Sequence, residues 1–135
     1  MDIQIMDASA LTAYLRGEPG EDVVDEIMAN ASNHCLVHAV NLCEVYYDAL
    51  RERGQEIAEM QMLVLEKAGV AVRTDMEPEF WRRVGQLKVN PGKISLADCF
   101  CLALALETGG TLVTSDHHEF DAVARLSLCP ITFIR

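Results

Sequence analysis

The residues of this chain best suited to chemistry are four carboxylates, Asp7, Glu44, Asp98 and Asp116. Hard carboxylate oxygens brought together attract Mg²⁺ or Mn²⁺. One or two such ions, a pair lying about 3.5–4 Å apart, turn water into a nucleophile and stabilise a phosphate under attack. Each acid also has a plain structural use. Ser95-x-x-Asp98 and Asp116-x-x-Glu119 fit helix capping boxes, Asn41-x-x-Glu44 is a near relative, and Asp7 can cap a helix that follows it. Capping is the better explanation of any one of them, and the balance reverses only if all four meet. Two carboxylates about 4 Å apart repel by roughly 1 kcal/mol in water and about 4 at an effective dielectric of 20. A helix N-terminus returns only about 0.3–1 kcal/mol to each. A gathered set therefore needs protons or a cation.

The elements that would gather them follow from hydrophobic periodicity. Residues 2–6, 35–40, 69–74, 111–114 and 131–134 read as short apolar strands. Helical spacing covers 9–17, 21–31, 42–52, 55–68, 77–89, 95–108 and 119–126. Pro19-Gly20 and Gly54 punctuate between helices, and Pro78 suits a first helical turn. The segment "SLADCFCLALALETGG" is apolar almost all round, as a helix enclosed in the interior must be. Apolar strands alternating with helices imply a mostly parallel sheet covered on both faces, a three-layer α/β/α sandwich with right-handed crossovers. Ligands of such sheets bind beyond the carboxyl ends of the strands. Asp7 and Asp116 end strands, Glu44 lies one turn into a helix that follows a strand, and Asp98 opens a helix that runs back against the fourth strand. All four can reach one edge.

Composition narrows the setting. A chain of 135 residues, half of them hydrophobic, is expected to form one domain spanning 1–135. No apolar run approaches the roughly 20 residues of a membrane span, and the start "MDIQIMD" has no signal-peptide pattern. Five scattered cysteines, an odd number, suit free thiols in a reducing cytoplasm. The net charge of −10 speaks against coating nucleic acid by bulk electrostatics, so a nucleic-acid enzyme of this composition needs a local basic strip. Arg82, Arg83, Lys88 and Lys93 are its densest basic stretch, as consistent with a solvated helix face as with a guide for RNA.

At "MDASALTAYLRGEPG", "NLCEVYYDAL", "ISLADCFCLALALETGGTLVTSDHHEFD" and the closing "ITFI" the chain resembles the PIN domain, and within it the VapC-type ribonucleases of toxin–antitoxin systems. Any one motif is weak; the ordered set is fairly specific. The resemblance implies a Mg²⁺- or Mn²⁺-dependent endoribonuclease that cuts RNA by water attack, with Asp7, Glu44, Asp98 and Asp116 as metal ligands. It implies supporting roles for Ser9, Asn41, Ser115 and Asp121. It also implies a homodimer silenced by a small antitoxin whose tail blocks the acidic site.

Other residues tempt. Adjacent His117 and His118 in a turn diverge, so capping or solvent-facing roles outweigh metal ligation. Cys99 and Cys101 read as small buried residues. Phe80, Trp81, Tyr46 and Tyr47 read as core or subunit contacts ahead of base-stacking platforms. An aspartate-based phosphatase is disfavoured because Ser9 stands where its second aspartate belongs, and a receiver domain lacks its late lysine. A stand-alone PIN nuclease without an antitoxin, or a catalytically silent PIN-fold binding protein, stays open; a silent relative is expected to have lost an acid.

Overall fold

Apolar runs and helical repeats alternate along the chain, and the computed structural model, which describes residues 2–135, gives them definite bounds. The order is β1 (Asp2–Met6), α1 (Ala8–Arg16), α2 (Glu21–Ala29), β2 (Asn33–His38), α3 (Ala39–Arg53), α4 (Gln55–Lys67), β3 (Ala71–Arg73), α5 (Pro78–Val89), α6 (Leu96–Thr108), β4 (Thr111–Thr114), α7 (His117–Arg125) and β5 (Ile131–Phe133). The strands form one parallel sheet in the order β3-β2-β1-β4-β5. The chain thus builds outward from β1 on one side, through β2 and β3, and resumes on the other side with β4 and β5. The carboxyl ends of β1 and β4 flank the point where that direction reverses, the place where parallel sheets bind ligands.

Alternation of side chains along the strands sorts two cores. Ile5 sits between Leu36 and Leu112, and these face α5, α6 and α7. Met6, Cys35, Val37 and Val113 face the other way, against α1, α2, α3 and α4. The sheet is therefore covered on both faces, the sandwich that periodicity implies. Helix α6 is buried without a break from Cys99 to Ala105, which explains why it shows no polar face. Cys99 and Cys101 lie inside, and Phe80 is buried beside them, whereas Trp81 and Tyr47 are exposed. Among the described residues no helix is long and apolar enough to cross a membrane.

One boundary differs from expectation for a physical reason. The apolar run 35–40 reads as a strand to its end, yet β2 stops at His38 and α3 starts at once. His38 Nδ1 accepts from Val40 N at 3.1 Å, while Nε2 meets the Asp75 carbonyl oxygen at 2.9 Å. Those bonds fix the neutral ring with its proton on Nε2. A buried histidine does here what Ser or Asn usually does at a helix start, so the customary N-terminal signal is missing from the sequence.

A close approach matters for the site below. Gly20 has φ +99°, and a Cβ there would stand 2.7 Å from Ile134 Cγ1 and 2.8 Å from the Ile134 carbonyl oxygen. Gly20→Ala combines a left-handed turn with that clash and should cost about 1–3 kcal/mol. Urea denaturation reads this as a lower midpoint with an unchanged slope; an unchanged midpoint would mean that residues 19–20 are not seated against residue 134.

Candidate metal centre

The site begins with Asp7, which leaves β1 and caps α1. Its Oδ1 accepts from Ala10 N at 2.8 Å and from Ser9 Oγ at 2.7 Å, and its Oδ2 accepts from Thr114 Oγ1. Only 1% of Asp7 is exposed. Three donors and no positive charge hold it. Ser9 in turn accepts from Ser115 N at 2.9 Å, and Thr114 Oγ1 accepts from Asp116 N at 2.9 Å, so the ends of β1 and β4 are stitched together through hydroxyls.

Asp116 follows β4 and caps α7, its Oδ1 accepting from Glu119 N at 3.0 Å. Glu119 does not complete the expected capping box by returning to Asp116 N. Its Oε2 reaches across to Ser95 N, 3.1 Å away, at the start of α6. Ser95 Oγ caps the same helix through Asp98 N at 3.1 Å, which places Asp98 in the first turn. Carboxylate oxygens of Asp98, Asp116 and Glu119 all lie within 4.8 Å of one another. Glu44 projects from α3, and buried Asn41, one turn earlier, donates from Nδ2 to the Ala97 carbonyl at 3.0 Å, tying α3 to the start of α6. Asp7, Glu44, Asp98 and Asp116 line one cavity of about 260 Å³, together with Glu18, Asp48 and Arg135.

The electrostatics are those of crowded like charge. Burial raises Asp7 to about 6, against the hydrogen bonds from Thr114, Ala10 and Ser9. Asp98 rises to about 7, first through burial and then through the charge of Asp7, with Glu119 and Glu44 adding. Glu44 is also raised, by burial, against the pull of Asn41. Protons are one remedy for such a cluster and a divalent cation is the other. The donor set suits a hard cation: carboxylates and the hydroxyls of Ser9 and Thr12 line the cavity, with no sulfur or imidazole.

Other residues singled out from sequence fall elsewhere. Ser115 contributes its backbone N–H, and Asp121 lies outside the cavity, 2.7 Å from His117 Nδ1. His117 is less free than adjacency suggests. Its Nε2 stands 2.8 Å from the Arg135 carbonyl oxygen, and its ring stacks on Phe133 at 4.1 Å between centroids. Both partners only accept, which raises the His117 pKa, through Arg135 first and Asp121 second. His118 is exposed. Arg82, Arg83, Lys88 and Lys93 are exposed on or just after α5 and none lines the cavity. Lys88 Nζ donates to the Ile94 carbonyl at 2.6 Å, and Arg82 lies 4.8 Å over the Trp81 ring.

Besides Thr12, Glu18 and Asp48 on the cavity wall, sequence reasoning missed three residues whose contacts shape the site. Glu119 reads as a capping partner of its own helix. Thr114 reads as an ordinary strand threonine, although a hydroxyl at a strand end beside an acid is a usable signal. Arg135 is 128 positions from Asp7, and only the β4–β5 pairing brings the two near.

Comparison with known proteins speaks to the family and the fold. Residues 5–126 match the PIN domain family. The chain is 27% identical over 115 residues to VapC ribonuclease Mb2780c of Mycobacterium bovis and, equally, to Ribonuclease VapC42 of Mycobacterium tuberculosis, with 81% of this chain and 87% of each relative covered. Its fold superposes on a chain of the Rickettsia felis VapBC2 complex with promoter DNA at a TM-score of 0.75, 14% identity and 97% and 98% coverage. It superposes on one of DNA-bound VapBC from Salmonella typhimurium at 0.74, 18% identity and full coverage of both chains. At such identities those two likenesses speak for the fold. The match over residues 5–126, on a five-stranded parallel sheet with acids at its switch point, places the chain in the PIN domain family.

Proposed function

We propose that the protein is a Mg²⁺- or Mn²⁺-dependent endoribonuclease and the toxin of a VapBC-type toxin–antitoxin pair. The observation that carries this reading is the convergence of Asp7, Glu44, Asp98 and Asp116, from four separate segments, on one cavity. Relatives named as VapC ribonucleases support RNA as the substrate class, and similar folds in VapBC complexes support an antitoxin partner. Five cysteines, all free, fit a reducing cytoplasm.

In this reading Asp7, Glu44, Asp98 and Asp116 hold the cation, with Glu119 beside them. A divalent ion there supplies an acidified water and stabilises the charge that gathers on the phosphate. The chain supplies the positions. Thr114, Ser9 and the Ala10 N–H fix both oxygens of Asp7; Ser95 N–H fixes Glu119; Asn41 sets the spacing of α3 and α6 and so of Glu44 and Asp98. An apolar groove between α1, α2 and α4, with exposed Met60 and Val64 and an acidic rim of Glu21, Asp22 and Asp25, suits an antitoxin segment that is apolar on one side and basic on the other. Exposed Trp81 and Val89 on α5 leave apolar surface for the second copy of a homodimer.

A labelled RNA mixture should be cut in Mg²⁺ or Mn²⁺ and left intact in EDTA. Asp7→Asn and Asp98→Asn should each lower the rate by at least about a hundredfold. Cleavage indifferent to EDTA and to both substitutions would defeat the assignment.

Melting curves test the same cluster without turnover. An acid whose pKa rises on folding favours the native state at low pH, and that stability is lost as pH climbs from its unfolded value towards its folded one. For Asp98 the window runs from 3.8 to about 7. In EDTA, Asp98→Asn should therefore gain melting temperature relative to the parent as pH rises from about 4 to 8. Added Mn²⁺ should raise the parent's melting temperature more than the variant's. A difference flat across pH would mean that Asp98 is neither buried nor crowded by other acids.

A further inference from the structure

The acidic cavity poses a difficulty that the metal alone does not remove. Six of its lining side chains are carboxylates, and an RNA strand brings further negative charge along its whole backbone. The basic residues of α5 do not reach the cavity, and Lys88 is already engaged with the Ile94 carbonyl. Among the described residues, the one basic side chain that lines it is Arg135.

The surroundings of Arg135 are built rather than incidental. Its backbone is fastened to the segment that carries Asp116: Ile134 N donates to the Thr114 carbonyl at 2.9 Å, and His117 Nε2 donates to the Arg135 carbonyl at 2.8 Å. The His117 ring lies nearly parallel to Phe133, 11° between planes, and Asp121 takes its other nitrogen at 2.7 Å. Gly20 lets the Pro19 turn close against Ile134, and the Pro19 carbonyl accepts from Arg135 Nη1 at 2.6 Å. The guanidinium is thus anchored by one corner. Glu18 is 3.8 Å away, too far for a hydrogen bond, and Nε and Nη2 have no hydrogen-bond partner among the described residues. The side chain is 41% exposed. A planar fork with open donors, at the rim of an anionic site, matches two oxygens of a phosphodiester; a guanine edge is the other bidentate acceptor in RNA, and it lacks the charge that this acidic rim calls for.

We propose that Arg135 grips a backbone phosphate of the RNA at the mouth of the acidic cavity, and that His117, braced by Phe133 and Asp121, is the positioning residue that holds it there. This rests on the ribonuclease reading and adds to it the group that admits the substrate. The role of His117 is then neither metal ligation nor capping but transmission of position to residue 135.

The test separates binding from turnover. Affinity for a labelled single-stranded oligoribonucleotide is measured by fluorescence anisotropy over a salt series, using Asp98→Asn protein so that nothing is cut. Adding Arg135→Gln should weaken binding about tenfold and flatten the slope of log affinity against log salt by about 0.7, the share of one phosphate contact on a single strand. Arg135→Lys should restore the slope and only part of the affinity, because the charge returns without the fork. In the cleaving protein, Arg135→Gln and, more weakly, His117→Gln should raise KM with kcat changed less than about twofold. An unchanged salt slope in Arg135→Gln, with or without a lower melting temperature, overturns the proposal. A parent protein that cuts no RNA defeats the ribonuclease reading itself, whereas a cutting parent with an indifferent Arg135→Gln defeats this proposal alone.

Discussion

Asp7 is a carboxylate buried to 1% exposure with three hydrogen-bond donors and no cation, and the rest of the site is arranged around the cost of keeping it there. Two of its donors, Ser9 and Ala10, come from the first turn of α1 and the third, Thr114, from the end of β4. It can be buried only if β1 and β4 lie side by side with their carboxyl ends level. The strand order β3-β2-β1-β4-β5 provides that adjacency, and the reversal of direction between β1 and β4 leaves the crevice into which the other acids project.

Two apolar cores hold this unfavourable cluster in place. The starts of α1, α6 and α7 all face the crevice, each with an acid at its cap or in its first turn. Helix dipoles return about 0.3–1 kcal/mol to each acid, less than the roughly 4 kcal/mol that one close pair of charges loses at an effective dielectric of 20. The helix ends orient the carboxylates and do not neutralise them. Burial, the first cause, pushes Asp7 up to about 6 and Asp98 up to about 7, and the charges of neighbouring acids add to it. The same crowding that makes a cation welcome makes RNA unwelcome, so the cavity rim needs at least one cation of its own. Arg135 stands at that place.

Much of the scaffold was readable in the sequence because burial on both faces of a parallel sheet leaves strands continuously apolar and α6 apolar all round. The four acids were readable as a set because strand ends and helix starts mark the ligand edge. What was not readable depends on contacts between distant segments. His38 ends β2 early because a buried imidazole serves as a helix cap, a choice that apolar neighbours disguise. Glu119 obeys the local spacing of a capping partner and yet bonds to Ser95, 24 residues away in sequence. Arg135 reaches the crevice only through the pairing of β5 with β4. The basic stretch of α5 lies on the surface and does not line the cavity, because local density of charge says nothing about which way a helix faces.

The most direct measurement is anomalous diffraction at the manganese edge from crystals soaked in Mn²⁺. An anomalous peak in the cavity, in contact with carboxylates of Asp98 and Asp116 and within reach of Asp7, Glu44 or Glu119, is the expected result. Carboxylates that stay free of metal at saturating Mn²⁺, or manganese bound only to scattered surface acids, would contradict the metal centre and the nuclease chemistry that depends on it.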